Sequence, residues 1–244
     1  MIHVGKDGNV GEISLSRIEK RNAINQELLD ELISAIRDFE KDRDLRVVVL
    51  DSFIDDFSVG ADIRDLYRMD EENARSFRSK MLSIAESMVR SEKIFISYLT
   101  GYALGGGFEL SQWTDIIIEG KNSKIGQPEV NIGINAGAGG NTILPKEIGY
   151  KNAMYLALTG KILSAVEAKE KGIVQEVVNS KEEMMKIAKE IASKDALTIT
   201  AIKRSMAKAL KLEPAEDMKA EEDAFIKLSQ SKSTKELLSD FLSK

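Results

Sequence analysis

Apolar and polar residues follow two different rhythms along the first half of the chain, and each rhythm predicts one kind of element. Short apolar runs bounded by charged or polar residues predict buried strands at Val47–Leu50, Ile94–Leu99 and Ile116–Ile118. Apolar residues spaced three and four apart predict two amphipathic helices, one from an N-cap at Asn25 to about Asp42 and one from about Glu71 to Val89. Before them, alternation over residues 2–15 with a turn at 6–9 predicts a hairpin.

Helical spacing dominates the second half of the chain. It predicts one short strand at Ile173–Val178 and helices at 150–158, 165–171, 181–193, 195–211 and 215–242. Because strand, loop and helix alternate first and helices follow, the fold class predicted is α/β with a helical C-terminal region. We expect an α/β core over 1–194 that carries the active site. The helices of 195–244 are too few to stand alone and should pack on this core or on a neighbouring subunit.

Composition changes this picture by excluding classes of protein. The formal net charge of −5 argues against nucleic-acid binding. No apolar run approaches the roughly 18 residues that span a bilayer, and residues 1–8 lack the features of a signal peptide. The absence of cysteine excludes disulfides and thiolate chemistry and fits a reducing compartment. We therefore expect a cytoplasmic protein that binds neither membranes nor nucleic acid.

The scarcity of histidine narrows the chemistry further. The single histidine, His3, falls in the predicted N-terminal strand. A multi-histidine metal site therefore has nothing to be built from, a Ser-His-Asp triad would depend on this one structural histidine, and no metal is expected. If the protein performs acid/base catalysis, carboxylates, lysine or tyrosine must carry it.

Two glycine-containing loops follow predicted strands. One is Gly60-Ala61-Asp62, and the other is Gly105-Gly106-Gly107, just before a helix predicted to begin near Phe108. Glycine lets backbone amides approach a ligand closely, so these loops could supply an oxyanion hole; a tight strand-to-helix turn is the alternative. A P-loop is excluded because no Gly-Lys-Ser/Thr follows, and Gly137–Gly140 is a weak match to a dinucleotide fingerprint.

Two carboxylates lie close to these glycines in sequence. Glu109 follows Gly107 by two residues among apolar neighbours, and Glu129 follows Pro128 in a glycine-rich loop. Taken alone, each could be an ordinary solvated surface charge. If both lie in one dry pocket, their pKa values should separate and leave one proton between two carboxylates.

Five segments, in order and covering nearly the whole chain, resemble the crotonase (enoyl-CoA hydratase/isomerase) superfamily. They are LSRIEKRNAIN at 15–25, FSVGADI at 57–63, GYALGGGFEL at 101–110, GQPEVNIGINAGAGG at 126–140 and LTGKILSAVEAKEKGIV at 158–174. The resemblance implies a crotonase-like spiral of ββα turns. It also implies a C-terminal helical region used in oligomerisation, as a homotrimer or a dimer of trimers.

The resemblance also assigns roles to residues. Glu109 and Glu129 match the family's catalytic glutamates, and the backbone N–H groups of Ala61 and Gly106 match its oxyanion hole. The positions implied to contact the coenzyme A thioester or its reacting water are Lys20, Arg21, Ala23, Ser58, Val59, Gly60, Ala61, Asp62, Ile63, Gly105 and Gly137. Coenzyme A is then part of the substrate, and no separate cofactor is expected.

Two glutamates favour one activity among the family's several. Family isomerases typically lack the carboxylate at the Glu109 position, so the pair predicts an enoyl-CoA hydratase. The alternatives are a 3,2-enoyl-CoA isomerase that uses Glu129, and a catalytically idle acyl-CoA-binding member. The last is motivated by Ala136, which replaces the family's proline, and by the unusual Asn141-Thr142-Ile143. The sequence does not indicate the acyl chain.

Overall fold

A computed structural model describes residues 1–243 of the chain; Lys244, the last residue of the predicted C-terminal region, lies outside them. The strands of this part are β1 Ile2–Asp7, β2 Val10–Leu15, β3 Val47–Ser52, β4 Ile94–Leu99, β5 Tyr102–Leu104, β6 Ile116–Gly120, β7 Lys124–Gly126, β8 Ile162–Ser164 and β9 Glu176–Val178. The helices are α1 Gln26–Lys41, α2 Ile63–Arg68, α3 Glu71–Arg90, α4 Gly106–Gln112, α5 Gly140–Ile148, α6 Tyr150–Thr159, α7 Ala165–Glu170, α8 Lys181–Ala192, α9 Ala196–Ala209, α10 Pro214–Ser229 and α11 Lys232–Leu242.

The larger of two sheets has six strands in the order β1-β2-β3-β4-β6-β9. β1 and β2 form the predicted antiparallel hairpin, and every later pair is parallel. Along β3, Val48 and Leu50 face one apolar cluster, while Val47 and Val49 face the other. Helices thus cover both faces of the sheet, which is why its central strands read as continuous apolar runs.

The smaller sheet has the order β5-β7-β8, and from β4 to β7 the strands of the two sheets alternate along the chain. β4 leads to β5 and then to α4, and β6 leads to β7 and then to a 3-10 helix at Glu129–Ile132. The bridge between Ser58 and Ala103 places the chain after β3 beside β5 in the same way. These repeating units are the turns of the predicted crotonase-like spiral, and they bring the ends of β5 and β7 together.

The C-terminal helices pack on the same chain. Thr234 of α11 donates a hydrogen bond of 2.7 Å to the carbonyl of Gly133. Lys203 of α9 is buried and donates to the carbonyls of Met88 and Lys93 at 2.6 and 2.8 Å and to Asp115 at 2.8 Å. The boundary at 194/195 and a role of this region in oligomerisation remain predictions.

Several elements differ from the sequence-based expectations. The single helix predicted over 215–242 is wrong: α10 ends at Ser229, and Ser231 caps a separate α11 by accepting a hydrogen bond from the amide of Thr234 at 3.2 Å. The pattern also missed α2, α5 and the three-residue strands of the small sheet, which are too short to show a period. Asn25 caps α1 as predicted, accepting from the amide of Leu28 at 2.9 Å. Within residues 1–243 no helix has both the length and the apolar character needed to span a membrane.

Candidate active site

The two glutamates lie just beyond the ends of adjacent parallel strands. β5 pairs with β7 in a register that sets Leu104 opposite Gly126, and the amide of Gly105 donates to the carbonyl of Gly126 at 2.9 Å. Glu109 lies in the first turn of α4, and Glu129 begins the 3-10 helix. Because parallel strands end at the same edge of a sheet, this topology brings the two side chains into one region.

Glu109 is buried, with 4% of its surface exposed, and is held by backbone donors. Its Oε1 accepts hydrogen bonds from the amides of Ala138 and Gly140, at 2.6 and 3.1 Å. Burial raises the pKa of Glu109, while these two N–H groups and the positive charge of Arg78 oppose the rise. The donors favour the ionised carboxylate.

Glu129 has a different environment. It is 8% exposed, and neither of its carboxylate oxygens has a hydrogen-bond partner among the described residues. Burial, then the charge of Glu109, then that of Glu221 raise the pKa of Glu129 well above its ordinary value. If the two carboxyl groups share one proton, this difference in environment favours Glu129 as the group that holds it.

The amides of Ala61 and Gly106 lie side by side. A Cβ built on Gly106 would stand 3.6 Å from the backbone nitrogen of Ala61. Ile24 bonds to Gly60 and Asp62, on either side of Ala61, and so leaves the N–H of Ala61 directed away from it. Gly106 begins α4, which has no side-chain cap. The two amides thus lie close together, and their use as an oxyanion hole stays a prediction.

Close packing explains the glycines in both loops. Gly60 has φ +92°, and a Cβ there would lie 2.7 Å from the carbonyl oxygen of Leu104. At Gly107, a Cβ would lie 2.6 Å from the Cβ of Ser58. Larger residues would therefore push the two loops apart.

Apart from Gly105 and Gly137, the predicted substrate contacts lie on two segments of the chain, 20–24 and 58–63. Lys20 is exposed, and Arg21 pairs with Asp56 at 2.6 Å and stacks over the ring of Tyr102 at 5.2 Å. Val59 donates its amide to the carbonyl of Arg21 at 3.2 Å, so the segments 20–24 and 58–63 run together. Ala23 is buried, whereas Val59, Ala61 and Ile63 are partly exposed.

The side chains of two of these residues are used within the protein. The buried Ser58 hydroxyl donates to the carbonyl of Asn22 at 2.7 Å. Asp62 caps α2 by accepting from the amide of Arg64 at 3.1 Å and pairs with Arg17 at 2.8 Å. Any contact of Ser58 with substrate would therefore come from its backbone.

Gly137 lies in the turn that Glu109 accepts from, and a Cβ there would lie 2.6 Å from the ring of Phe225. A cavity of about 400 Å³ lies beside Glu129, and its lining includes Asn135 and Ala136 together with residues of α5 and α6.

The sequence analysis missed two buried charged residues of this region, Arg78 on α3 and Glu221 on α10. For Glu221 an indication was available. It lies three residues after Met218 and four before Phe225, which places a carboxylate on the apolar face of an amphipathic helix.

Comparison with known proteins agrees with this geometry. The profile of the enoyl-CoA hydratase/isomerase family matches residues 5–244. A probable mitochondrial enoyl-CoA hydratase of Dictyostelium discoideum is 34% identical over 98% of this chain and 87% of its own length. A probable enoyl-CoA hydratase of Rhizobium meliloti (strain 1021) is 34% identical over 99% and 94%.

Solved structures of enoyl-CoA hydratases also resemble this chain. An enoyl-CoA hydratase from Thermoplasma volcanium GSS1 has a TM-score of 0.84 and 42% identity, covering 98% of this chain and 96% of its own. One from Bacillus halodurans has a TM-score of 0.91 and 25% identity, covering 98% and 99%. The chain belongs to the enoyl-CoA hydratase/isomerase family.

Proposed function

We propose that this protein is an enoyl-CoA hydratase, which adds water reversibly and syn across the 2,3 double bond of a 2-enoyl-CoA to give a 3-hydroxyacyl-CoA. The observation that carries this proposal is the pair Glu109 and Glu129: both are buried, and within residues 1–243 hydrogen-bond donors meet only Glu109. The names of the relatives support the same reaction.

In this proposal the thioester carbonyl binds between the amides of Ala61 and Gly106. Addition of water to the β-carbon pushes negative charge onto the thioester oxygen, and the two amides stabilise that charge. Each such donor contributes about 3–4 kcal/mol in other oxyanion holes. Coenzyme A is part of the substrate, and the chemistry calls for no further cofactor.

Glu109 and Glu129 divide the proton transfers. The ionised Glu109 takes a proton from water, because both backbone donors hold Oε1 and leave Oε2 to accept. Glu129, which holds the shared proton, delivers it to the α-carbon. Addition is syn because both carboxyl groups act from one side of the double bond.

The coenzyme A moiety would lie along the segments 20–24 and 58–63. Lys20 would bind phosphate groups at the surface together with Arg21, whose Nε pairs with Asp56, and the backbone of Ser58–Ile63 would follow the adenine end. Gly105 and Gly137 would lie beside the reacting carbons: the amide of Gly105 itself donates to the carbonyl of Gly126, three residues before Glu129, and the amide of Ala138, next to Gly137, donates to Glu109.

Homotrimers or dimers of trimers are part of the same proposal. Large apolar residues are exposed on α6 and α9, where Tyr150 is 68% exposed, Leu158 64% and Met206 63%. In this proposal the exposed apolar side chains of α6 and α9 supply the contacts between subunits. The cytoplasmic location stays a prediction.

The enzymatic alternative, a 3,2-enoyl-CoA isomerase, would use Glu129 alone. Purified protein should be incubated separately with a 2-enoyl-CoA and a 3-enoyl-CoA, with products identified by mass and chromatography. We expect 3-hydroxyacyl-CoA from the 2-enoyl substrate. Conversion of the 3-enoyl substrate to 2-enoyl-CoA without hydration would favour the isomerase. Tight binding of acyl-CoA without either product would favour a catalytically idle binding protein.

A further inference from the structure

Helix α10 brings a third carboxylate to the turn that holds Glu109. Glu221 is 3% exposed, and its Oε2 accepts a hydrogen bond of 2.9 Å from the amide of Gly139. On the same helix, Phe225 packs against Gly137 so closely that a Cβ on this glycine would lie 2.6 Å from the ring. The carbonyl of Glu221 also accepts from the side chain of Asn135 at 3.3 Å.

Two glutamates thus share three consecutive amides. Glu109 accepts from Ala138 and Gly140, and Glu221 accepts from Gly139 between them. On the other side, the indole N–H of Trp113 donates to the carbonyl of Ala138 at 2.6 Å. Because the amides that bind Glu109 flank the amide that binds Glu221, movement of Glu221 would shift the donors of Glu109.

The charges around Glu221 come from four elements. Glu109 on α4 and Glu129 in the 3-10 helix are negative when ionised, and Glu222 and Asp223 lie next along α10. Arg78 on α3 is the buried cation; it donates to the carbonyl of Met218 at 2.8 Å. Its Nε and Nη1 and the Oε1 of Glu221 have no hydrogen-bond partner within residues 1–243.

We propose that Glu221 is a positioning residue of the acid/base site, which holds the turn Gly137–Gly140 in the conformation that binds Glu109. This inference rests on the proposed hydratase function. It assigns no contact with the reacting atoms to Glu221; the residue acts through the turn and through its charge.

The charge of Glu221 has a further consequence. Burial, and then the charge of Glu109, raise the pKa of Glu221 to about 8. Once ionised, Glu221 in turn raises the pKa of Glu129. Glu221 therefore helps Glu129 to keep its proton in mildly alkaline solution, where the proposed mechanism needs it.

Two substitutions of Glu221 in the full-length protein separate the effect of its hydrogen bond to the turn from the effect of its charge. Glu221→Gln keeps a side-chain oxygen that can accept a hydrogen bond from the amide of Gly139, but this side chain cannot ionise. Glu221→Leu removes both the acceptor and the charge. Glu216→Gln, an exposed position on the same helix, is the matched control.

Amide hydrogen exchange of the peptide spanning 137–144, followed by mass spectrometry, reads the turn without reference to activity. We expect faster exchange in Glu221→Leu, and wild-type exchange in Glu221→Gln and Glu216→Gln. Exchange in Glu221→Leu equal to that of the wild type would overturn the proposal. The exchange measurement does not depend on activity. Failure of the wild type to hydrate enoyl-CoA would contradict the proposed function but not the role of Glu221 in holding the turn.

The pH profile of kcat for hydration of crotonyl-CoA gives a readout that a purely structural role would not move. We expect kcat to fall about 100-fold in Glu221→Leu, as for other small misplacements of catalytic groups. In Glu221→Gln the alkaline limb should move to lower pH, because Glu129 loses its proton sooner without the neighbouring charge. An unchanged limb in Glu221→Gln, or full kcat in Glu221→Leu despite a loosened turn, would contradict the inference.

Discussion

Gly105 leaves open the space that the carboxylate of Glu129 needs: a Cβ on Gly105 would stand 3.1 Å from Oε1 of Glu129. Gly105 also has φ +49° and ψ −126°, a conformation that other residues rarely adopt. Gly105 precedes Gly106, whose amide belongs to the proposed oxyanion hole, and it thus also limits where the carboxylate of Glu129 can lie.

Gly105→Ala should therefore impair catalysis more than it impairs folding. We expect kcat for enoyl-CoA hydration to fall about 100-fold, since both Glu129 and the amide of Gly106 would shift. Gly8→Ala is the control, because Gly8 has φ +62° but an added Cβ there would meet nothing within 4 Å. Equal kcat in the two variants would contradict this reading.

Glu129→Gln should stabilise the fold in alkaline solution while it removes activity. The pKa of Glu129 is raised in the folded state, so the unfolded chain releases this proton first as pH rises. The wild type therefore loses stability as the pH rises from the pKa of Glu129 in the unfolded chain, about 4.3, to its higher pKa in the folded protein. The side chain in Glu129→Gln cannot ionise, so the stability of this variant does not fall with rising pH for this reason.

Thermal unfolding at pH 5 and pH 8 checks this expectation. The Tm of Glu129→Gln should exceed that of the wild type by more at pH 8 than at pH 5. Glu27→Gln, at an exposed position on α1, should show no such difference. A constant offset at the two pH values would count against a buried, protonated Glu129.

The buried ammonium of Lys203 should be among the largest single contributions to stability outside the site. Lys203→Met would leave the carbonyls of Met88 and Lys93 without their donor and Asp115 without its cation. The Asp115 side chain is 25% exposed, so the cost comes mainly from the two carbonyls, at about 1–3 kcal/mol in the free energy of unfolding for each buried group left without a partner. Urea denaturation measures it, with the exposed Lys208→Met of the same helix as control; a loss below about 1 kcal/mol would show that the pair is solvated.

Asn22 should be required for the loop that carries Ala61. The two hydrogens of its side-chain nitrogen are shared among the hydroxyl of Ser52 and the carbonyls of Asp56 and Phe57, at 2.8, 3.0 and 3.1 Å, and its oxygen accepts from the backbone amide of Arg17 at 2.7 Å. Asn22→Ala should cost about 3 kcal/mol, because several buried groups lose their partners. It should also raise the Kd for acyl-CoA measured by calorimetry, whereas Asn179→Ala at the surface should change neither quantity.

Much of the fold could be predicted from sequence because its central strands are covered on both faces. Val47–Leu50 is an unbroken apolar run and Ile94–Leu99 is interrupted only by Ser97, and both strands lie where the pattern predicts, as does the helix after Asn25. The strands β5, β7 and β8 were missed because three residues show no period. Their pairing is nevertheless what brings Glu109 and Glu129 together, and only the resemblance to known motifs anticipated it.

The part of the site that could not be predicted depends on long-range docking. Glu221 reaches the turn at Gly139 from 82 positions along the chain, and Arg78 meets Met218 across 140. Helical spacing places Glu221 on an apolar face but does not say which surface that face covers. The break between α10 and α11 was missed for a related reason, since it is set by Ser231 capping a helix that docks against Gly133.

The most direct test of the account is hydration of crotonyl-CoA by the wild type and by Glu109→Gln and Glu129→Gln, with Kd for acyl-CoA measured on each. Loss of the conjugated enoyl-thioester absorbance follows the reaction. We predict hydration by the wild type and a fall in kcat of about 100- to 10,000-fold in either variant, the range for loss of a general acid or base. Binding of acyl-CoA should be kept. Wild-type kcat in either variant, or no hydration by a wild type that binds acyl-CoA tightly, would contradict the assignment of these two glutamates as the acid/base pair of a hydratase.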